Sequence, residues 1–175
     1  MLRTDPNAIN RLRDKPGMVW HYILLVILLV ISVFNFFYGS RITGGKHYGS
    51  SAEMEAVYFY FPGMRIVDPV FGWFCVALAT FGFILVYLLY RKKKQSLILL
   101  PLLFALNAAG QVLYLVADIV VMSKDAGDTA GAIRESLGQI FFNGALVQVI
   151  VTLAVSAVMI VFNRIYYDKR KDLFS

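Results

Sequence analysis

Four long apolar stretches constrain the fold of this chain more than any other feature of its sequence. A helix of about 20 residues, rising about 1.5 Å per residue, crosses the roughly 30 Å hydrocarbon core of a bilayer. Each stretch reaches that length and is apolar around its whole circumference, whereas a surface helix of a soluble protein keeps one polar face. The sequence therefore predicts an all-α integral membrane protein. Its transmembrane domain, residues 18–163, would contain four transmembrane helices, over residues 19–38, 70–90, 97–122 and 140–162.

The composition also favours lipid over water as the solvent. Hydrophobic residues make up 59% of the chain and charged residues 16%, and exposing so much apolar surface to water would cost roughly 25 cal/mol per Å². Basic residues precede the first stretch, as they do in a secretory signal peptide. That stretch is longer than a signal-peptide core, and no small-residue cleavage pattern follows it. We expect an uncleaved membrane anchor, with a cleaved signal peptide as the alternative.

The lysine and arginine residues near the ends of the stretches predict an orientation. Twelve of the 17 fall in the tail 1–17, the loop 91–95 and the tail 164–175, and five fall in the loops 39–69 and 123–139. Because short basic segments stay in the cytoplasm, we expect an antiparallel bundle with both termini inside, in the cell membrane and specifically in a bacterial plasma membrane. This bias accounts for the net charge of +6. We therefore expect contact with lipid headgroups and no nucleic-acid partner.

The loop 39–69 is predicted to contain a short helix. Ser50 and Glu53 are spaced as in a capping box, in which each side chain satisfies a backbone N–H of the other residue. The helix that they open would end at the Pro62-Gly63 pair, which favours a turn. Its aromatic residues predict that it rests at the interface on the outer headgroups. An aromatic patch that binds a partner is the alternative.

A row of small residues in the second stretch predicts close helix packing. Gly72, Cys75, Ala79 and Gly82 are three, four and three residues apart, so they share one side of the helix. Helix association in lipid depends on close packing, which small residues permit. We therefore interpret this row as a helix-packing seam. Nothing near Cys75 in the sequence would make it a reactive thiol.

The third stretch carries a polar stripe, because Asn107, Gln111, Tyr114 and Asp118 recur at helical spacing. Such a stripe must face protein or a water-filled cavity, since unpaired polar groups are costly in hydrocarbon. The first and fourth stretches place further polar residues at comparable height. Interhelical hydrogen bonds alone remain an alternative, and Asp118 could be buried or lie at the outer interface. The candidate polar pocket comprises Ser32, Asn35, Asn107, Gln111, Tyr114, Asp118, Gln139 and Asn143.

A second polar face is predicted on the fourth stretch. Gln148, Thr152 and Ser156 follow one another at intervals of four residues, on a side different from Gln139 and Asn143. One monomer cannot easily bury both polar faces within its own bundle. We therefore expect this face to contact a second copy of the chain or another membrane protein.

No motif in the sequence assigns a chemistry. Cys75 is the only cysteine, and His21 and His47 are too far apart in the sequence for a zinc motif, so no metal and no cofactor are expected. The favoured hypothesis is a non-enzymatic accessory or scaffold subunit that associates through its helices. The second is a transporter or channel subunit for a small solute or an ion. The third and least favoured is a lipid-acting enzyme, whose candidate acids and bases are His47, Glu53, Glu55, Asp68 and Asp118.

Overall fold

The computed structural model describes residues 17–47, 50–124 and 131–175, without the side chains of residues 51, 122–123 and 131–143. Over these residues the protein is all-helical, and four of its five α-helices are long and apolar enough to cross a membrane. A 3-10 turn, Lys171–Leu173, follows the last helix. The helices are α1 (Val19–Thr43), α2 (Ser51–Tyr60), α3 (Met64–Tyr90), α4 (Gln95–Lys124) and α5 (Gly131–Asp168).

The long helices extend beyond the apolar stretches that predict them. Helix α5 begins at Gly131 rather than at residue 140, and α3 begins at Met64 rather than at residue 70 and continues through Pro69. A proline in a helix removes one backbone hydrogen bond and crowds the carbonyl four residues earlier, here that of Arg65. This loss does not end the helix. Apolarity marks the part of a helix suited to lipid, whereas backbone hydrogen bonding decides where the helix ends.

Each long helix packs against its neighbours in the order α1, α3, α4, α5, and the α1–α3 contact is the most extensive. Helices α1 and α3 run in opposite directions, because Gly39 near the end of α1 meets Gly72 near the start of α3. We call the end of the molecule that carries α2 and residues 44–50 the loop end. The opposite end, with the loop between α3 and α4 and residues 169–175, is the tail end.

All four residues of the predicted packing seam are buried on the side of α3 that faces α1. A Cβ atom added to Gly72 would lie 3.0 Å from the backbone oxygen of Gly39. A Cβ atom added to Gly82 would overlap the Oγ of Ser32. The absence of side chains at these two positions lets the backbones of α1 and α3 approach each other closely.

Two helices end with the same hydrogen-bond motif but with different residues in the left-handed position. After α1 that residue is Gly45, with φ 72°, and after α3 it is Lys92, with φ 52°. In both, this residue donates its N–H to the carbonyl three residues back, and the next residue donates to the carbonyl five residues back. This is the Schellman arrangement, in which glycine is the usual residue. Lys92 therefore holds a conformation that disfavours its side chain.

The tail end is closed by aromatic residues that join α1 to α5. The indole Nε1 of Trp20 donates a hydrogen bond of 2.9 Å to the Oδ1 of Asn163. The buried His21 ring lies 2.9 Å, Nδ1 to oxygen, from the Tyr167 hydroxyl. The ring of Phe174 packs edge-on against both His21 and Tyr167. These contacts fix the start of α1 to the end of α5.

At the loop end, α2 has the predicted capping box. The Ser50 side chain accepts a hydrogen bond from the Glu53 N–H at 3.2 Å, and a Glu53 carboxylate oxygen accepts one from the Ser50 N–H at 2.8 Å. The helix then packs through Val57 and Phe61 against Met64 at the start of α3. The predicted capping box is therefore confirmed.

Candidate functional site

A cavity of about 320 Å³ lies between α1, α4 and α5. Helices α1 and α5 are not among the pairs with extensive contact, and the hydrogen bonds that join them are at the tail end. The gap between them elsewhere forms this cavity, which we call the α1–α5 cleft. Apolar side chains such as Leu28 and Val151 form part of its wall. Its polar lining consists of Ser32, Asn35, Asn107, Gln111, Gln148, Thr152 and Ser156.

The cleft brings together residues that the sequence assigned to two different faces. Four of the eight candidate pocket residues line it, namely Ser32, Asn35, Asn107 and Gln111. The predicted partner face, Gln148, Thr152 and Ser156, lies across from them on the same cleft. One hydrogen bond crosses it, from the Nε2 of Gln148 to the Oε1 of Gln111, at 3.3 Å. The side chains of Gln139 and Asn143 lie outside the residues that the structure describes.

Tyr114 and Asp118, the other two candidate pocket residues, belong to a second site near the loop end. The Tyr114 hydroxyl donates a 2.8 Å hydrogen bond to the Oδ1 of Asp68 on α3. The Tyr58 hydroxyl of α2 donates one of 3.1 Å to the Oδ2 of the same carboxylate. The Nε2 of His47 lies 3.2 Å from the Tyr114 hydroxyl. We call these residues, with Asp118, the Asp68 cluster.

The fold buries the carboxylates of this cluster almost completely. Asp68 is 0% exposed and Asp118 is 6% exposed. Asp118 lies one helical turn beyond Tyr114 on α4, and the charge of Asp68 acts on it. The ring of Phe71 stacks on that of Tyr114, with 4.0 Å between ring centroids, and so fixes the direction of the Tyr114 hydroxyl. Asp118 is therefore buried against α3 in this structure.

Two groups of the cluster that lie outside the long helices have shifted pKa values. Burial lowers the pKa of His47 below its ordinary 6.5; the carboxylate of Asp68 opposes this shift and the charge of Arg41 adds to it. Burial also raises the pKa of Tyr58 to about 12, and the adjacent Asp68 carboxylate contributes to the same direction. At neutral pH His47 is thus mainly uncharged, and Tyr58 keeps its proton as a donor to Asp68.

Sequence reasoning named Asp68 only among possible acids and bases and placed it in a loop. The signal that could have found its site is its spacing, since Asp68 precedes Gly72 by four residues and therefore extends the packing seam by one turn. The other acidic candidates lie elsewhere: Glu53 and Glu55 are exposed on α2. Within the described residues, no group of three or more His, Cys, Asp or Glu side chains is arranged to hold a metal ion.

Comparison with known protein families, with characterised proteins and with solved structures finds no match to this chain.

Proposed function

We propose that this protein is a non-enzymatic subunit of a membrane assembly, which binds a helix of a second copy or of another membrane protein in the α1–α5 cleft. In this proposal α1, α3, α4 and α5 cross the cell membrane as an antiparallel bundle with the tail end in the cytoplasm. The basic residues Arg91 to Lys94, next to the basic residues that follow α5, support this orientation.

The polar lining of the cleft is the observation that carries the proposal. Its seven polar side chains lie within helices that are apolar enough to span a bilayer. Where α1 and α5 separate, the cleft faces sideways, toward the position that lipid chains would take. Ser32 already bonds to the Leu28 carbonyl, and Gln148 to Gln111. Lipid chains offer the other groups no hydrogen bonds, whereas a helix with polar or small side chains can satisfy them and pack closely.

The exposure of α5 supports the same conclusion. Only 11% of its most apolar 18-residue stretch is buried, against 39% for α3. The large side chains that α5 leaves uncovered include Val151 beside the cleft, which is 55% exposed. A helix that contacts so little of its own chain has surface available for a partner.

The short helix α2 would rest in the outer headgroup region. Phe59 on α2 is 76% exposed, while Val57 and Phe61 anchor the helix to α3. An exposed aromatic ring on a helix at the end of a membrane bundle suits the interface between headgroups and hydrocarbon.

Photo-crosslinking from single cysteines tests the docking proposal. With Cys75 replaced by alanine, one variant carries Val151→Cys at the cleft and its matched control carries Ile150→Cys. The two positions are adjacent and equally exposed, at 55% and 57%, but only Val151 lines the cleft. Each thiol is coupled to a benzophenone maleimide in native membranes and then irradiated. We expect a protein adduct from position 151 and none from position 150.

Equal yields from both positions, or no adduct from position 151, would contradict docking in the cleft. The mass of the adduct identifies the occupant. A second copy gives twice the mass of the chain, whereas another protein gives the mass of the chain plus its own mass. A Thr152→Leu exchange in the Val151→Cys variant should lower the yield, because it removes a polar group from the cleft.

Binding of a small polar solute in the same cleft is the alternative function, and the cavity volume supports it. About 320 Å³ is near the lower limit of small-molecule pockets. Solute flux into liposomes distinguishes the two functions. An Asn107→Leu variant would abolish flux if a solute passes through the cleft. If the cleft only holds a helix, the parent protein and the Asn107→Leu variant would give the same solute flux.

A further inference from the structure

The Asp68 cluster holds two carboxyl groups with too few hydrogen-bond donors for two negative charges. Asp68 accepts one hydrogen bond on each oxygen, from Tyr114 and Tyr58. Asp118 is 94% buried, given its 6% exposure, and has no hydrogen-bond partner among the residues that the structure describes. A buried carboxylate without donors and beside a like charge is strongly disfavoured.

The two nearby arginines act on other members of the cluster: Arg65 lies 5.9 Å from the centre of the Tyr58 ring, and the charge of Arg41 acts on His47. Tyr58 of α2 and Tyr114 of α4 donate hydrogen bonds to Asp68, and Tyr38 of α1 lies within range of its charge. All three are phenols and carry no positive charge. His47 contacts Tyr114 and is mainly neutral at neutral pH. Within the described parts of the chain, no lysine or arginine forms an ion pair with either carboxyl.

We propose that Asp68 and Asp118 form a proton-binding site, in which the pair holds one proton and exchanges it with the loop end through Tyr114 and His47. The proton resides on Asp118, because Asp68 already accepts a hydrogen bond on each oxygen, whereas Asp118 accepts none from the described residues. This inference does not depend on the docking proposal, since the cluster and the cleft share no residue.

The hydrogen bonds define the route of the proton. Because the Tyr114 hydroxyl donates its only hydrogen to Asp68, its oxygen accepts from His47, whose Nε2 must carry a hydrogen. A proton that binds His47 at Nδ1 allows the Nε2 proton to move to Tyr114. The hydroxyl proton of Tyr114 then moves to Asp68. In the last step Asp68 gives this proton to Asp118 and becomes a carboxylate again. One proton has then entered and one has arrived on Asp118, and His47 is left neutral with its hydrogen on Nδ1.

Isotope-edited infrared spectroscopy of the full chain in lipid nanodiscs tests the site. The C=O stretch of a protonated carboxyl group is separate from that of a carboxylate, and ¹³C in the aspartate carboxyl shifts it. At neutral pH we expect one shifted carboxylic-acid band in the parent protein, so the test does not require a variant that folds. The band should be lost in Asp118→Asn and retained in Asp168→Asn, which removes an exposed aspartate at the tail end.

The absence of a protonated aspartate band in the parent protein at neutral pH would overturn the proposal, as would its persistence in Asp118→Asn. Arg134 lies in the part of α5 whose side chains are not described, so an Arg134→Gln variant is measured as well. A band that appears only in Arg134→Gln would show that arginine, and not a proton, neutralises the pair. Tyr114→Phe should slow the exchange of the band on transfer to D₂O, because it removes the hydroxyl of the relay. Unchanged exchange would refute the route.

Discussion

Replacing Gly82 by alanine should push α1 away from α3. The added Cβ would overlap the Oγ of Ser32 and would lie 3.2 Å from the Ser32 Cβ. Neither atom can move far, because Ser32 is buried and its hydroxyl donates a 2.7 Å hydrogen bond to the Leu28 carbonyl within α1. The two helices must therefore separate locally, or Ser32 must leave its rotamer.

The expected cost follows from the type of contact. Adding a methyl group to a closely packed core typically costs about 1–3 kcal/mol. Gly144 of α5 provides a matched control, because no described atom lies within 4 Å of a Cβ added there. Both exchanges convert a helical glycine to alanine, so the gain in helix propensity cancels between them. We expect Gly82→Ala to be about 1–3 kcal/mol less stable than Gly144→Ala.

Equilibrium unfolding in mixed micelles with increasing SDS measures this difference. With Trp73 replaced by phenylalanine in every variant, the fluorescence of Trp20, whose indole is hydrogen-bonded across to α5, reports the separation of α1. Adding Ser32→Ala to Gly82→Ala removes the overlapping oxygen and should restore part of the lost stability, giving a coupling energy of about 0.5–3 kcal/mol. Equal stability of the two glycine variants, or no coupling with Ser32, would refute the close approach of α1 and α3.

Three further predictions concern the helix ends. Lys92→Gly should stabilise the protein by about 1 kcal/mol and Gly45→Ala should destabilise it by about 1–2 kcal/mol, because both residues have positive φ; thermal unfolding in detergent measures both changes. Ser50→Ala should weaken α2 by about 0.5–2 kcal/mol, seen as faster hydrogen exchange of its amides while those of α3 stay protected. The hydrogen bonds from the backbone N–H and the hydroxyl of Ser50 lower the pKa of Glu53 below its ordinary 4.5. The protection of the α2 amides against hydrogen exchange should therefore be complete above pH 4.5 and should fall as the pH drops below it. A pH-independent protection of these amides would contradict the capping role.

The sequence predicts the long helices well because uninterrupted apolarity leaves few alternatives. Its least accurate boundaries are two helix starts: α5 begins at Gly131 instead of residue 140, and α3 begins at Met64 instead of residue 70 and continues through Pro69. Pro69 lies past the first turn of α3, so the missing hydrogen bond to the Arg65 carbonyl is a real loss, which the extensive packing of α3 on α1 offsets.

The grouping of polar side chains was harder to predict than the helices that carry them. Asn107 and Gln111 share one stripe of α4 with Tyr114 and Asp118, yet the first two line the cleft and the last two face α3. Because packed helices cross at an angle, the neighbour that faces one stripe changes along its length. Helical periodicity in the sequence identifies the residues of the stripe but gives no crossing angle. It could therefore not separate the two sites.

The α1–α5 cleft could not be inferred from spacing either. It exists because α1 makes its main contact with α3 and, among the described residues, is hydrogen-bonded to α5 at the tail end, around Trp20 and His21. The glycines of α3 favour that choice of neighbour by allowing close approach. Which helix uses the seam depends on the three-dimensional arrangement of all four.

The central claim is that the four long helices cross a membrane with the tail end in the cytoplasm. Cysteine labelling in intact cells tests it most directly, with single cysteines at the exposed residues Lys46, at the loop end, and Lys93, at the tail end, in a Cys75→Ala background. A membrane-impermeant maleimide should label position 46 in intact cells and position 93 only after the membrane is permeabilised. Labelling of position 93 in intact cells, or recovery of the protein in the soluble fraction without detergent, would contradict the claim.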